Sequence, residues 1–328
     1  MDEFGFKPLF LFSLPRSGST LVQRVLAASG LIKTVAEPWI LLPAVYALKP
    51  HGIFAEYDHR TLSAAINDLV RTFPGGYSDY RAELRKFALS LYRLAVSNEK
   101  VVYFLDKTPR YSLIAKEVID IFPEGKYIFL WRNPLAIAAS IMETWGKGRW
   151  NLYKYKVDLY KGLDNLVDAY TLIRDRAYSV RYEDLVGGRV EAWKGLFDYL
   201  DIPFRADVLQ TFSKVTLNGR MGDPIGVKKY KVLSEEPIEK WKVVFSNPLR
   251  RSWARGYLRW IGKERLDLMG YSYEDLMKEV NTLKPSTRYL CSDVGHRAIG
   301  ILYTVCELGM MKAKFYEWKM TGVLYPHK

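Results

Sequence analysis

The chain has 328 residues, of which 49% are hydrophobic, and its 49 Lys and Arg against 36 Asp and Glu give a formal net charge of +13. This composition excludes a disordered or fibrous protein and allows one large domain or two modest ones. The two cysteines, Cys291 and Cys306, and four scattered histidines exclude a disulfide framework and a zinc site, and they favour a reducing compartment. The positive charge indicates an anionic partner but does not choose among a nucleotide, a nucleic acid, an acidic glycan and a membrane surface.

The N-terminal segment is predicted to be a strand and not a targeting signal. The chain begins with acidic residues after Met1, and its apolar run, Leu9–Leu14, is shorter than the core of a signal peptide. No window reaches the roughly 18 uninterrupted apolar residues that a membrane-spanning helix needs. We therefore expect a soluble, cytoplasmic protein.

The first 185 residues alternate short β-rich runs with runs of helical periodicity, a pattern typical of βαβ units around a parallel sheet. Strands are predicted at Leu9–Ser13, Lys33–Ala36, Val101–Leu105, Lys126–Trp131 and Ala177–Arg181. Helices are predicted at Thr20–Ser29, Ser112–Ile121, Leu135–Thr144 and Glu191–Tyr199. The expected fold class is therefore α/β, with a mostly parallel central sheet flanked by helices.

Other segments lie outside this alternation. Residues 61–97 are predicted to form two helices, broken by the turn sequence FPGGY, as an insertion that could form a lid or wall over a site. Residues 209–239 are predicted to be a long loop, and residues 253–280 to be helical with an interruption at Gly270.

The C-terminal segment is a separate prediction. Residues Arg297–Met320 form an apolar and basic helix, for which packing on the core and peripheral contact with an anionic membrane are the two alternatives. We predict a single domain over residues 1–280, including a helical insertion at about 60–97, and a C-terminal helical extension over residues 281–328.

The first predicted strand runs directly into the sequence LPRSGST at residues 14–20, after which a helix begins. Gly18 lets the backbone curl around an anion, while the amides from Ser17 to Thr20 point toward it at the helix N-terminus. Arg16 adds a positive charge, and the hydroxyls of Ser17, Ser19 and Thr20 can donate further hydrogen bonds. The segment is predicted to bind an anion; an ordinary N-capped helix is the alternative. It lacks the first glycine and the lysine of the P-loop of kinases and GTPases.

A second cationic side chain follows the predicted strand Lys126–Trp131. Pro134 fits the first position of a helix, so Arg132 lies at the C-terminal end of the strand, where α/β sheets bind ligands. Ser140 lies about 9 Å from Pro134 along that helix, at about 1.5 Å per residue. Arg132 and Ser140 are therefore predicted to hold one phosphate between them. Two anion sites at one sheet edge match a nucleotide with phosphates at both ends.

These segments together resemble the sulfotransferase family, which transfers a sulfuryl group from 3′-phosphoadenosine 5′-phosphosulfate (PAPS). Further motifs agree in order along the chain, namely AEPW, DKTPR, RYEDL and GDP at residues 36–39, 106–110, 181–185 and 222–224. The resemblance covers roughly residues 8 to 280 and is strongest to the bacterial and Golgi-type carbohydrate-acting members. It implies a P-loop-NTPase-like three-layer fold, PAPS as co-substrate, adenosine 3′,5′-bisphosphate as product and no metal.

The resemblance also implies roles for residues around the nucleotide. The loop with Arg16 would hold the 5′-phosphosulfate, and Arg132 with Ser140 would hold the 3′-phosphate. Tyr182 would contact the adenine or the ribose, with an aromatic residue that closes the core as the alternative. Residues Gly222 and Asp223 would face the adenosine, with a plain turn as the alternative.

Sulfuryl transfer needs in-line positioning, a base for the acceptor proton and cations near the leaving phosphate oxygen. We assign Arg16 to the leaving-group cation and Lys107 to a second positive charge. Glu37 is the predicted general base, because it follows an apolar strand and precedes a proline, which projects it at the C-terminal edge of the sheet. Carbohydrate and tyrosylprotein sulfotransferases, by the resemblance, have a catalytic Glu at this point. The alternatives are a helix N-terminal acid for Glu37 and His51 or His59 as the base.

The chain departs from the cytosolic members of the family. Arg16 replaces their lysine, no histidine follows the central strand, and their basic signature for the 3′-phosphate is reduced to LNGRMG at residues 217–222. Candidates for the missing basic contacts at Leu217 and Asn218 are Lys214, Arg220, Lys228 and Lys229.

The acceptor is expected to be a hydroxyl of a sugar or glycolipid, ahead of a phenolic or natural-product hydroxyl. Trp145 and Trp150 are candidates for the acceptor site, with core positions as the alternative. A nucleic-acid partner is not expected, because the positive charge is not gathered into runs and no nucleic-acid module is visible. The rival classes are a metal-dependent nucleotide kinase, with ATP at the loop around Arg16, and a non-enzymatic polyanion-binding protein.

Overall fold

Five parallel strands form the central sheet. The structure is a computed structural model that describes residues 5–97, 99–219, 221 and 232–322. The strands are β1 (Lys7–Phe12), β2 (Ile32–Thr34), β3 (Tyr103–Asp106), β4 (Lys126–Trp131) and β5 (Tyr178–Arg181), in the order β2-β3-β1-β4-β5. All five predicted strands are confirmed. Because the strands are parallel, their carboxyl ends meet at one edge, beside the reversal of strand order at β1.

Side chains alternate across the sheet and build two apolar cores. On β1, Phe10 and Phe12 belong to one core, whereas Leu9 and Leu11 belong to the other. A parallel strand that is buried on both faces reads as a continuous apolar run, as β1 does. Helices cover both faces, so the chain has the predicted three-layer, P-loop-like α/β fold.

The helices of the described residues surround this sheet. The α-helices are α1 (Ser19–Ala27), α2 (Leu41–Tyr46), α3 (His59–Arg71), α4 (Tyr77–Val96), α5 (Ala115–Ile121), α6 (Pro134–Gly146), α7 (Leu163–Ile173), α8 (Tyr182–Val186), α9 (Val190–Tyr199), α10 (Val208–Thr211), α11 (Glu236–Val244), α12 (Pro248–Ile261), α13 (Lys263–Leu268), α14 (Tyr273–Thr282), α15 (Leu290–Val305) and α16 (Leu308–Thr321). Short 3₁₀ segments occupy Pro109–Leu113, Leu152–Tyr155 and Phe212–Lys214, and a π-helix occupies Val157–Gly162.

The helices predicted after β1, β4 and β5 are confirmed as α1, α6 and α9. The helix predicted at Ser112–Ile121 instead begins as a 3₁₀ turn at Pro109, and α5 starts only at Ala115. Ile114 separates them with a φ of −139°, which is outside the helical range.

The two helices of the insertion, α3 and α4, are confirmed, with their break at the predicted turn. Their prediction as a lid or wall over the site is wrong. The apolar face of α4 packs on the sheet through Ala88 and Tyr92, which are buried. Within the described parts of the chain, neither helix lines the cleft at the carboxyl edge of the strands. An amphipathic pattern identifies such helices but does not say which layer they cover.

Residues 209–239 are only partly the predicted loop. The described residues begin with α10 and a 3₁₀ turn and end with α11, which starts at Glu236. The predicted helix over residues 253–280 begins earlier, at Pro248, and is broken at Gly262 as well as at Gly270. Both glycines have positive φ, which favours glycine over other residues.

The C-terminal segment forms two helices, α15 and α16, and not the single helix predicted at Arg297–Met320. The chain turns between them at Glu307, which has a φ of 46°. A buried ion pair anchors α15, because the Arg250 Nε lies 2.6 Å from Asp293 Oδ2 with side chains 1% and 0% exposed. The division of the chain at residue 280 stays a prediction.

Candidate active site

The loop between β1 and α1 has a backbone that is open to an anion. Arg16 and Gly18 both have left-handed φ values, of 69° and 90°. Gly18 stands at the N-cap of α1 without a capping side chain among the described residues, so the amides of Ser19 and Thr20 are available, whereas the Leu21 amide donates to the Gly18 carbonyl at 2.9 Å. A Cβ at Gly18 would lie 2.4 Å from Tyr182 Cδ2, which leaves no room for a side chain. These features favour the anion-binding prediction over an ordinary N-capped helix.

The predicted phosphate ligands form one continuous cluster. Arg16 Nε donates a hydrogen bond of 3.2 Å to Ser140 Oγ, so α6 reaches the loop directly. Arg132 Nη1 donates to the Arg16 carbonyl at 2.7 Å, and Nη2 donates to the Pro237 carbonyl at the start of α11 at 3.0 Å. Ser140 thus contacts Arg16, whereas the sequence paired it with Arg132. The roles of these three side chains toward phosphates stay predictions.

Arg132 lies in a tightly packed pocket. It is 6% exposed, and burial lowers its pKa. Its guanidinium stacks over the Tyr182 ring at 4.5 Å from the ring centre. Its Nε and the Ser17 Oγ are buried without a hydrogen-bond partner among the described residues. Unpaired buried donors beside a glycine cradle fit an anionic group such as a phosphate.

The predicted base and second cation form an ion pair. Lys107 Nζ lies 2.9 Å from Glu37 Oε1, and the two side chains are 1% and 10% exposed. Lys107 also reaches Thr20 Oγ1 in the first turn of α1 at 3.5 Å. The other Glu37 oxygen accepts a hydrogen bond of 3.0 Å from the Trp39 indole. The ends of β1, β2 and β3 therefore bring together three predicted residues, Thr20, Glu37 and Lys107.

A buried carboxylate, Asp106, ties the segment after Glu37 to β3. Tyr92 and Tyr111 donate to Asp106 Oδ2 at 2.6 and 3.1 Å, and Thr108 donates to Oδ1 at 3.0 Å. The Tyr111 hydroxyl in turn accepts a hydrogen bond of 3.2 Å from the Leu41 amide. Burial raises the pKa of Asp106 to about 6, although the three hydroxyl donors oppose this shift. The network fixes the backbone on the C-terminal side of the predicted base.

A cleft of about 840 Å³ opens at the carboxyl edge of the strands. Its lining includes Arg16, Gly18, Ser19, Thr20, Glu37, Arg132, Ser140 and Tyr182. Ser17 and Lys107 lie behind the lining, since each is at most 1% exposed. The predicted residues Gly222 and Asp223 lie outside the described residues, as do Arg220, Lys228 and Lys229.

Of the residues predicted for the acceptor site or as alternative bases, some lie at the cleft and others do not. Trp145 lines the cleft, so its role toward an acceptor stays a prediction, whereas Trp150 is a core residue that packs against Trp253. His59 is buried, and its Nε2 is hydrogen-bonded to the Lys49 carbonyl away from the cleft. Neither Trp150 nor His59 is therefore available to an acceptor in the cleft.

Sequence reasoning gave no role to several side chains that line the cleft. These are Arg24, Trp39, Arg110 and Tyr155. Trp39 and Arg110 lie within the AEPW and DKTPR motifs, so their position just after a strand end was a usable signal. Arg24 and Tyr155 come from helices, where no local signal separates a cleft position from an ordinary surface position.

In the part of the chain that the structure describes, no group of three or more His, Cys, Asp or Glu side chains could hold a metal ion. No helix of these residues is both long and apolar enough to cross a membrane.

A parallel sheet with a glycine-bearing loop at the end of its first strand and arginines around a cleft is typical of α/β proteins that bind nucleotides. The sequence identifies the group more closely. Residues 8–206 match the model of the sulfotransferase family, which is more than half of the chain. The chain therefore belongs to the sulfotransferase family.

Curated relatives share parts of this chain. Nodulation protein NoeE of Sinorhizobium fredii is 36% identical over 140 residues, which cover 42% of this chain and 31% of NoeE. Protein-tyrosine sulfotransferase of Drosophila melanogaster is 25% identical over 207 residues, covering 61% and 39%. Omega-hydroxy-beta-dihydromenaquinone-9 sulfotransferase Stf3 of Mycobacterium tuberculosis is 24% identical over 148 residues, covering 41% and 37%. The chain spans about a third of the length of these relatives.

Solved sulfotransferase structures are also similar. The sulfotransferase domain from the curacin biosynthetic pathway has a TM-score of 0.49 at 21% identity, covering 73% of this chain and 91% of that domain. The sulfotransferase domain from the Synechococcus PCC 7002 olefin synthase has a TM-score of 0.49 at 23% identity, covering 74% and 90%.

Proposed function

We propose that this protein transfers the sulfuryl group of PAPS to an acceptor hydroxyl, with Glu37 as general base. The observation that carries the proposal is the ion pair of Glu37 with Lys107, 2.9 Å apart, beside Thr20 of the phosphate loop. A candidate base thus lies next to a candidate anion site in one cleft. Membership of the sulfotransferase family favours this reaction over a nucleotide kinase and over a non-enzymatic polyanion-binding protein.

In this proposal the nucleotide lies along the cluster of Arg16, Ser140 and Arg132. The amides and hydroxyls from Ser17 to Thr20 bind the 5′-phosphosulfate, and Arg132 with Ser140 binds the 3′-phosphate. Tyr182 supports the adenosine end and holds the Arg132 guanidinium by a cation–π contact. Gly222 and Asp223 complete the adenosine contacts, on the resemblance alone.

The proposed reaction is an in-line displacement that needs no metal and no covalent intermediate. Glu37 accepts the proton of the acceptor hydroxyl, while the oxygen of that hydroxyl forms the new bond to sulfur. The bond from sulfur to the phosphate oxygen breaks, which releases adenosine 3′,5′-bisphosphate. Arg16 and Lys107 stabilise the negative charge that develops on the leaving oxygen. Because Lys107 is paired with Glu37, the proposed base and the proposed cation lie side by side at the reacting centre.

The acceptor is proposed to be a sugar or glycolipid hydroxyl. Two relatives are named for a protein tyrosine and for a dihydromenaquinone derivative as acceptors, so related chains use hydroxyls of different classes. Peripheral membrane contact through α16 is the accompanying proposal for a lipid acceptor, and the exposed Met311, Phe315 and Trp318 support it. A cytoplasmic location is supported by the two unpaired cysteines, Cys291 and Cys306.

The test is a transfer assay with radiolabelled PAPS and a host-cell extract. We expect a labelled product with the wild-type chain. Replacing Glu37 with Gln should lower turnover about 10²- to 10⁴-fold, because a general base contributes that much, while binding of adenosine 3′,5′-bisphosphate is retained.

The matched control is Glu191→Gln, which makes the same change at an exposed position of α9 and should transfer label normally. A Glu37→Gln chain that keeps most of the activity would remove Glu37 as the base. Magnesium-dependent turnover of ATP with no transfer from PAPS would instead favour the kinase.

A further inference from the structure

One wall of the cleft starts at the phosphate loop and carries an aromatic pair. The Arg16 guanidinium lies 5.7 Å from the centre of the Trp145 ring. Trp145 stacks on Tyr155 with ring centres 4.8 Å apart and planes inclined by 22°. Both rings line the cleft, and Trp145 is 45% exposed. A ligand in the cleft therefore meets the exposed side of this aromatic pair next to the proposed leaving-group cation.

Arg110 continues this wall beyond Tyr155. It lines the cleft and is 34% exposed, whereas its ion-pair partner Asp158, 2.8 Å from Arg110 Nε, is 1% exposed. Both charges act on the Tyr155 hydroxyl, since burial and Asp158 raise its pKa and Arg110 opposes them. Within the described residues, the terminal nitrogens of Arg110 donate no hydrogen bond to protein. Trp145, Tyr155 and Arg110 are called the acceptor wall below.

The arrangement of Arg110 and Asp158 differs from that of a surface ion pair. In the surface pair of Arg265 and Asp164, at 2.7 Å, the side chains are 36% and 47% exposed. Asp158 is instead buried, and neither carboxylate oxygen accepts a well-aligned hydrogen bond from the described residues. A buried carboxylate without donors is costly, so Arg110 supplies most of its compensation. The buried charge in turn holds Arg110 at the cleft wall through its Nε.

The charge of the cleft also favours an anionic acceptor. The charged residues of its lining are Arg16, Arg24, Arg110, Arg132, Lys240 and Arg288 against Glu37 and Glu143. Arg16 and Arg132 serve the proposed nucleotide, while Arg24 donates to the carbonyls of Ser213 and Val215. Arg110 has no part in the proposed nucleotide site, and it does not share the backbone contacts of Arg24. Its planar, forked guanidinium suits a carboxylate better than a neutral hydroxyl.

We propose that the acceptor wall is a subsite for an anionic sugar. The sugar ring lies against the exposed side of the stacked Trp145 and Tyr155 pair, and an anionic substituent such as a carboxylate binds the terminal nitrogens of Arg110. The hydroxyl to be sulfated is then directed toward Glu37. This inference rests on the proposed function and narrows its acceptor class from sugars in general to acidic sugars.

The test compares two probes that differ only at C6. p-Nitrophenyl β-D-glucuronide carries a carboxylate where p-nitrophenyl β-D-glucoside carries a hydroxymethyl group. Each is titrated by calorimetry into the chain saturated with adenosine 3′,5′-bisphosphate. We expect the wild-type chain to bind the glucuronide roughly tenfold more tightly or better, the effect of one charge-assisted hydrogen bond.

The variant is the double substitution Arg110→Gln with Asp158→Asn, which removes both charges and so leaves no uncompensated buried carboxylate. It should bind the two glycosides about equally while its nucleotide affinity is unchanged. The matched control, Arg265→Gln with Asp164→Asn, makes the same change in the surface pair and should keep the wild-type preference.

Several results would overturn the inference. Equal affinity of the wild-type chain for both probes, no binding of either probe, or a preference that survives in the Arg110 and Asp158 double variant would each do so. In all three cases the proposed function stands as long as the nucleotide binds. Failure of the nucleotide itself to bind would count against the proposed function instead.

Discussion

Glu37 and Lys107 are almost fully excluded from water, with exposed fractions of 10% and 1%. Ion pairs in such a position stabilise a fold little, because the cost of removing two charges from water nearly cancels their attraction. We propose that the pair serves the sulfuryl transfer at the cleft. Lys107 holds the Glu37 carboxylate at the cleft and places a positive charge beside Thr20 at the start of α1.

The orientation of Glu37 depends on residues that do not touch a substrate. Tyr92 and Tyr111 donate to the same Asp106 oxygen, but only Tyr111 also accepts a hydrogen bond from the Leu41 amide. Burial and the nearby Asp106 raise the pKa of both tyrosines well above the usual value, so both remain protonated donors. Tyr111 is therefore a positioning residue for the segment that carries Glu37.

Tyr92→Phe should lower the free energy of unfolding by about 1.5 to 3 kcal/mol, the value of one hydrogen bond to a charged group, and Tyr111→Phe should lower it more, because it also removes the acceptor of the Leu41 amide. Only Tyr111→Phe should also lower kcat, with the KM for PAPS unchanged. Steady-state kinetics and urea unfolding of the two variants measure both effects. Equal kcat values for Tyr92→Phe and Tyr111→Phe would contradict this account of positioning.

At the scale of the element, the junction of β1 with α1 carries the strongest constraint on sequence. Gly18 combines a φ of 90° with the close approach of the Tyr182 ring. Gly30, which follows α1, also has a positive φ of 73° but has no atom within 4 Å of an added Cβ. Comparing alanine substitutions at the two glycines therefore distinguishes the cost of backbone strain from the cost of the clash with Tyr182.

Gly30→Ala should cost about 1 kcal/mol of stability from strain alone and leave nucleotide binding intact. Gly18→Ala should in addition displace Tyr182 or the loop, and so weaken binding of adenosine 3′,5′-bisphosphate at least tenfold. Thermal unfolding and nucleotide titration of the two variants test this. Unchanged nucleotide affinity in Gly18→Ala would show that the loop does not require glycine.

The elements that sequence predicted correctly are those with strong local patterns. The strands around the site are continuous apolar runs, and α6 begins at Pro134 behind the capping residue Asn133. The π-helix over Val157–Gly162 and the 3₁₀ turn at Pro109 were missed, because their sequences carry helical periodicity without marking the hydrogen-bond register. The 3₁₀ turn carries Arg110 of the acceptor wall, and the π-helix carries Asp158, the ion-pair partner of Arg110.

Site residues at strand ends were predictable for the same reason, since a parallel sheet brings all its carboxyl edges together. Their pairing was not. Sequence analysis did not predict the hydrogen bond between Arg16 and Ser140, and its placement of Arg132 and Ser140 around one phosphate stays a prediction. Side-chain pairing across the layers depends on how far α6 slides along the sheet, which no local pattern specifies.

At the scale of the whole molecule, two carboxylates lie in the interior near the cleft. Burial raises the pKa of Asp106 and of Asp158 to about 6, above the usual value of 3.8. A carboxyl with a raised pKa binds its proton more tightly in the folded state than in the unfolded state. The contribution of these two carboxyls to stability therefore falls as pH rises from about 4 to about 6 and then levels off.

Asp158→Asn removes one of these titrations. Between pH 7 and pH 5 the wild-type chain should gain roughly 1 kcal/mol of unfolding free energy relative to this variant, measured by urea unfolding at both values. The control is Asp168→Asn, which changes an exposed carboxylate that pairs with Lys116 and should show a smaller difference. A wild-type chain that loses stability relative to Asp158→Asn on acidification would contradict the assignment.

If one cleft holds a nucleotide with phosphates at both ends, thermal unfolding of the chain should distinguish three adenine nucleotides. Adenosine 3′,5′-bisphosphate, AMP and ATP are compared at the same concentration without added metal. Ligands that bind the folded state raise Tm according to their affinity. We expect a markedly larger increase in Tm with adenosine 3′,5′-bisphosphate than with AMP or ATP. Equal increases with all three nucleotides would contradict it.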